Sequence, residues 1–312
     1  MEFTILGPLV VSHGGESARL AGVLQRRLLT ALLLNVNVVV PADRLIHILW
    51  GDDARATAAR NLHTQVWRVR AALDECLEGG SAALVTQPPG YLLRVDPEAV
   101  DAVRFERMVT EATTLPEQQP DQVAERLTRA LELWQGPALA EFADDEFCRH
   151  ETMRLEELRL FVVEQRFEAR LALGRHTELI GEIEAFAAEH PLRERPCGLQ
   201  MTALHRSGRQ ADAVAVYQRF RNRLVDQLGL EPSAALRERH QHILNDEAES
   251  GVVHERPVVR PGSVRRKTLG NLRFELSELI GRDAETGLAL TTLARQRVVT
   301  ITGAGGVGKT RL

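Results

Sequence analysis

Three observations predict a mainly α-helical chain that opens with a small α+β unit and closes on a fragment of α/β type. Helix-like segments with short breaks follow one another from Asp101 to about Asn245. Short strand-like runs punctuated by glycine and proline are concentrated in the first hundred residues. Near the C-terminus, the run Val298-Val299-Thr300-Ile301-Thr302 leads into the glycine-rich turn Gly303-Ala304-Gly305-Gly306-Val307-Gly308-Lys309-Thr310.

A length of 312 residues with 44% hydrophobic content suits two or three domains with sizeable cores. The N-terminus has no basic leader, and no apolar run approaches the roughly 18 residues of a membrane span. A cytoplasmic protein with no membrane partner is therefore expected. Cys76, Cys148 and Cys197 are far apart and read as small buried side chains, not as a disulfide framework or zinc site. His240-Gln241-His242 reads as a solvated helix face. The net charge of −4 excludes a uniformly basic nucleic-acid binder. Locally the balance reverses: eight arginines (19, 26, 27, 44, 55, 60, 68, 70) face three aspartates (43, 52, 53) between Arg19 and Arg70. Guanidinium groups suit bidentate contacts to phosphate and guanine.

In the first unit, Phe3-Thr4-Ile5-Leu6 and Leu9-Val10-Val11 predict a small sheet ended by Ser12-His13-Gly14-Gly15. A leucine-dense helix covers Leu24 to Leu34. A second, short helix starts near Pro41, buries Leu45, Ile46, Leu49 and Trp50, and stops at Gly51-Asp52-Asp53. The third helix runs from about Thr57 to Leu77. Its Leu62, Val66, Val69 and Leu73 form one apolar stripe. Arg60, Thr64, Trp67 and Ala71 point the opposite way, flanked by Asn61 and Arg68 on one side and His63 and Arg70 on the other. A hairpin follows: Leu84 to Gln87, the turn Pro88-Pro89-Gly90, and Tyr91 to Val95 carrying Arg94. Two short helices, a long third and a hairpin make a winged helix-turn-helix over residues 1–97.

This stretch resembles the OmpR-type winged helix as it occurs in the Streptomyces antibiotic regulatory protein family. The residues that carry the likeness are Gln25-Arg26-Arg27-Leu28-Leu29, Asp43-Arg44-Leu45-Ile46, Leu49-Trp50-Gly51-Asp52, Val66-Trp67-Arg68-Val69-Arg70 and Pro88-Pro89-Gly90-Tyr91-Leu92-Leu93. Pro41 departs from the family, which usually caps its second helix with serine or threonine. The resemblance implies base-edge contacts from Thr64, Trp67 and Arg68, and phosphate contacts from Arg60, Asn61, Arg70 and, on the wing, Arg94.

Residues 101–245 also repeat. A shift of 34 positions superimposes Ala169 on Ala203, Gly174 on Gly208, Arg175 on Arg209 and Phe186 on Phe220. That is the period of tetratricopeptide repeats, so an all-α, tetratricopeptide-like stack of helix pairs is expected. Such stacks present surfaces and seldom catalyse. The charged residues of Glu151 to Arg170 accordingly read as solvated faces and intrahelical ion pairs. Arg175-His176-x-Glu178-Leu179, His190-Pro191-Leu192-Arg193-Glu194-Arg195, Arg206 to Ala213 and Leu228-Gly229-x-Glu231-Pro232 resemble the bacterial transcriptional activator domain of the same family. Together the two resemblances imply a non-enzymatic transcriptional activator. It would bind direct repeats in promoter double-stranded DNA, usually as a homodimer, and engage RNA polymerase holoenzyme near its σ factor, with secondary-metabolite (antibiotic) genes as targets.

Residues 246–275, with Pro257, Pro261 and the basic run Arg265-Arg266-Lys267, read as a flexible linker. Residues 276–312 read as an incomplete P-loop fragment and resemble the start of an NB-ARC-type ATPase. Lys309 is one of only two lysines in the chain, so its place in G-x-x-x-x-G-K-T is not chance. Gly303, Gly308, Lys309 and Thr310 would hold phosphates and magnesium. The acidic residues and arginines that complete such a site would lie downstream. No cofactor is thus expected to be required, and ATP or ADP with magnesium would bind only if the rest of that domain were present. The alternative reading, a nucleotide-dependent signalling ATPase, needs those further residues.

Overall fold

The computed structural model describes residues 1–51, 57–116 and 118–250. The expected helix stop at Asp52-Asp53, the linker beyond Ser250 and the phosphate loop with Gly303, Gly308, Lys309 and Thr310 lie outside the described residues.

Strands β1 (Glu2–Thr4), β2 (Val10–His13) and β3 (Glu16–Ser17) form an antiparallel meander in which Phe3 faces Val11. Helix α1 (Val23–Leu33) starts at Gly22, whose amide donates to the Gln25 side chain (3.2 Å), and buries Leu28, Leu29 and Leu32. Strand β4 (Val40–Pro41) leads into α2 (Ala42–Trp50), which buries Leu45 and Leu49. Pro41 sits just outside that helix with φ −57° and ψ 142°, an extended conformation its ring favours. Helix α3 (Ala58–Cys76) seats Leu62, Val66, Val69 and Leu73 in the core, as the periodicity predicts. Strands β5 (Leu84–Gln87) and β6 (Gly90–Leu93) form the hairpin, and β6 also pairs with β4. Gly90 is dictated by that pairing, since a Cβ there would lie 1.9 Å from the Val40 carbonyl oxygen.

Among the described residues seven α-helices follow: α4 (Asp101–Thr113), α5 (Pro120–Leu131), α6 (Glu146–Ala172), α7 (His176–Glu189), α8 (Glu194–Arg206), α9 (Gln210–Leu228) and α10 (Ala234–Ser250). The last extends past Asn245, where the sequence suggests the repeats end. The 34-residue repeat reaches the backbone. Gly174 and Gly208 both take positive φ, 81° and 74°, and Arg175 and Arg209 donate to equivalent carbonyls of Arg170 and Leu204.

One hydrophobic core runs without a break from the winged helix into α4, α5 and α6 as far as Val162, taking in Phe3, Leu29, Phe105 and Leu127. Asp101 is the staple. Only 2% exposed, its carboxylate accepts from the Ile5 (2.9 Å), Leu6 (3.0 Å) and Ala102 (2.8 Å) amides. Burial pushes its pKa up against the pull of those three bonds. Residues 132–145 form an irregular strap that pattern reading does not reveal. The Gln135, Leu139 and Ala140 amides donate to the Leu6, Ile5 and Gly7 carbonyls, while Trp134 packs edge-on to Phe105 at 5.4 Å. On α1, Arg26 pairs with Glu141 and Arg27 with Asp145, the Arg27 guanidinium lying over Phe142 (5.6 Å) and Phe147 (5.9 Å).

Two smaller cores serve the rear. One joins Phe167, Leu171, Leu179, Ile183 and Leu199; the other joins Met201, Tyr217, Phe220, Leu236 and Ile243 with their neighbours. Two readings of this region need correction. Glu164 is buried and accepts from Arg193 Nε (2.8 Å), while Arg193 Nη1 donates to Glu157 (2.7 Å), so much of the charge on α6 pairs between helices and not within one. His240 is not a solvated residue. Its ring stacks on Tyr217 at 3.9 Å and 11°, because α10 folds back across α9. The three cysteines are free and buried as expected, and burial pushes the Cys148 and Cys197 thiols up to about 12.

Candidate nucleic-acid interface

With its apolar stripe seated, α3 presents Arg60, Asn61, His63, Thr64, Trp67 and Arg68 to solvent. Trp67 is 68% exposed, a large apolar surface at the middle of that face. Between Ala58 and Leu73 the helix carries no acidic residue. The face is cationic and complementary to a phosphate backbone. The Arg60 and Arg68 side chains have no ion-pair or hydrogen-bond partner among the described residues, so their donor forks are open. Thr64 differs. Its hydroxyl donates to the Arg60 carbonyl (3.1 Å), which leaves the oxygen lone pairs to accept and the methyl to make apolar contact.

The hairpin is fastened to α3 at two levels. Towards the helix N-terminus, the Tyr91 hydroxyl lies 2.8 Å from His63 Nδ1, the rings edge to face at 6.2 Å. Towards the C-terminus, Arg70 donates through Nε and Nη2 to the Leu84 carbonyl (2.9 and 2.7 Å) and through Nη2 to Thr86 Oγ1 (2.9 Å). Burial raises the Tyr91 phenol, with the Arg70 charge opposing. Helix and wing are thereby presented as one surface.

The geometry divides the residues singled out from the sequence. Arg60, Asn61, Thr64, Trp67 and Arg68 come together on one exposed face. Arg70 does not join them as a free phosphate ligand, because its guanidinium is spent largely on the wing backbone. Arg94 is exposed, but it follows β6 at the open end of the hairpin, where its amide donates to the Ala83 carbonyl (2.7 Å). At about 3.3 Å per residue it lies roughly 13 Å along the strand from the turn at Gly90. The exposed polar side chains nearest the turn are Thr86 and Gln87. These two, and His63, are additional residues of the surface. The spacing of His63, three residues after Arg60 and four before Trp67, was the available signal.

Residues 100–244 match the family described as the bacterial transcriptional activator domain. The regulatory protein DnrI of Streptomyces peucetius is 38% identical over 265 residues, covering 83% of this chain and 97% of that protein. The chain belongs to the Streptomyces antibiotic regulatory protein family. Another relative, the transcriptional regulator RedD of Streptomyces coelicolor, is 36% identical over 78% of this chain and 70% of its own length. The regulatory protein AfsR of Streptomyces griseus is 35% identical along the whole chain, which spans 32% of that larger protein. Among solved structures, Mycobacterium tuberculosis EmbR in complex with a low-affinity phosphopeptide superposes with a TM-score of 0.74 at 31% identity, over 78% of this chain and 65% of that one. The protein is a transcriptional regulator of the activator type, as these relatives are regulators and not enzymes, and a regulator of this type acts on DNA. Among the described residues no helix is long and apolar enough to cross a membrane.

Proposed function

We propose that the chain is a sequence-specific activator that binds promoter direct repeats as a dimer, with α3 in the major groove. Thr64, Trp67 and Arg68 meet base edges, and Arg60 and Asn61 hold flanking phosphates. Arg70 keeps helix and wing in register, and Arg94 adds a phosphate contact from the open end of the hairpin. The observation that carries the reading is the outward face of α3, acid-free from Ala58 to Leu73 and fixed to the wing through His63–Tyr91 and Arg70–Leu84. The helical repeats offer the surface for RNA polymerase holoenzyme and its σ factor, and the regulated genes are those of antibiotic biosynthesis. No cofactor takes part in this activity, and Gly303 to Thr310 would serve nucleotide only within a longer domain.

Footprinting of purified protein on DNA upstream of neighbouring genes tests the reading. Protection should fall on two repeated half-sites about one or two helical turns apart, with affinity falling steeply as salt rises. Uniform, weak protection without a repeat would count against it.

A further inference from the structure

His63 stands on the same ridge of α3 as Arg60 and Trp67, and it is the one exposed side chain of that ridge whose ring is anchored from within the protein. Tyr91 holds it. That tyrosine is 3% exposed, sits in β6 opposite Thr86 on one side and Val40 on the other, and its hydroxyl has His63 Nδ1 as its single partner among the described residues. A buried hydroxyl proton needs an acceptor, and a lost hydrogen bond there would leave the group desolvated without return. Nδ1 is the one acceptor that the described residues offer that hydroxyl, and the hydroxyl as donor is part of the inference. The imidazole proton then resides on Nε2, at the opposite edge of a ring that faces solvent.

Building on the DNA-binding reading above, we infer that His63 is a further DNA contact, a fixed Nε2–H donor to an acceptor on the duplex, and that Tyr91 is its positioning residue. The acceptor chemistry is an oxygen or purine nitrogen: a backbone phosphate, or a base edge such as guanine N7 or O6, adenine N7 or thymine O4. An amino group of adenine or cytosine does not fit, because this tautomer offers no outward acceptor. The rigid ring also loses little rotamer freedom on binding, unlike the neighbouring arginines.

The experiment starts with a duplex that the wild-type chain itself selects from a randomised pool, together with a scrambled duplex of equal length. Fluorescence anisotropy then gives affinities for both at one salt concentration. His63→Ala should bind the selected duplex about tenfold more weakly, the size of one hydrogen bond involving a charged or buried partner. His63→Phe, which keeps the ring and loses both nitrogens, should match it. Tyr91→Phe should weaken binding about threefold alone and add nothing to His63→Ala, a coupling that a merely structural role for the hydroxyl would not produce. Equal losses on both duplexes assign the contact to phosphate; loss confined to the selected duplex assigns it to a base edge. Should His63→Ala and His63→Phe both bind within about twofold of wild type, below the size of one such bond, the inference falls while the DNA-binding reading stands. A wild-type chain that retains no duplex overturns both.

Discussion

The front and the rear of the described structure are held together in different ways. In front, Asp101 bonds Ile5 and Leu6 across 96 and 95 positions, and Arg26 and Arg27 reach Glu141 and Asp145 across 115 and 118. In the rear, Arg193 meets Glu164 across 29 positions, Arg195 meets Glu168 across 27 and Arg170 meets Glu182 across 12. One unbroken core accompanies the first pattern and two small ones the second. The DNA-facing unit is therefore no independent bead on a string. It shares its interior with the first helices of the activator domain, whereas the repeats behind it behave as a stack of neighbours.

The largest expected effect follows from the staple. Asp101→Ala leaves the Ile5, Leu6 and Ala102 amides buried without acceptors and should cost about 3 kcal/mol. Native-state hydrogen exchange should show the loss in both β1 and α4, and DNA affinity should fall with it. A loss confined to α4 would break the claim of a shared front core. Next comes Arg193→Ala, which leaves the buried Glu164 carboxylate with only the Arg195 guanidinium, 3.9 Å away. With the Arg193 side chain 27% exposed, a cost of about 2 kcal/mol is expected, below that of a fully buried pair. Exchange should accelerate in α6 to α8 while DNA affinity stays near wild type. If affinity falls in step with stability, the rear is not the modular stack described here.

The smallest effect concerns pH, and its sign differs between the two regions. Burial holds the His176 and His240 imidazoles below the ordinary histidine value, with Arg206 adding to the effect at His176. Their contribution is complete above the unfolded value of about 6.5 and is lost as pH falls through it towards the folded one. Asp101 is raised, so its contribution is complete below the ordinary carboxylate range and fades as pH rises through its folded value. Between pH 7.5 and 5.5, exchange protection should decline in α7 to α10 and hold or rise in β1 and α4. His240→Phe, which keeps the stack on Tyr217 without a titrating ring, should flatten the decline in the rear.

How much of this was legible in the sequence follows from the range of the forces involved. The stripe of Leu62, Val66, Val69 and Leu73 fixed which side of α3 would face out, and the 34-residue repeat located Gly174 and Gly208, because helix periodicity and positive-φ glycines are local properties. The strap over residues 132–145 was not legible. Its buried Trp134, Leu139 and Phe142 follow no period, and Leu139 takes a positive φ of 52° held by its packing and by its amide's bond to the Ile5 carbonyl. The fate of Arg70 was hidden for a related reason: its acceptor is a main-chain carbonyl, and carbonyls carry no sequence signature. Arg94 could be assigned to the hairpin from the sequence, but its place at the open end depends on strand register.

Arg68→Ala tests most directly the claim that the open face of α3 reads sequence. Affinities of wild type and variant are measured on the selected duplex and on every single-base variant of it. The expected result is a loss of about 1 to 3 kcal/mol on the selected duplex and a collapse of discrimination at one base position, with the other positions unchanged. Equal losses on the selected duplex, its variants and random DNA would contradict the placement of this face in the groove.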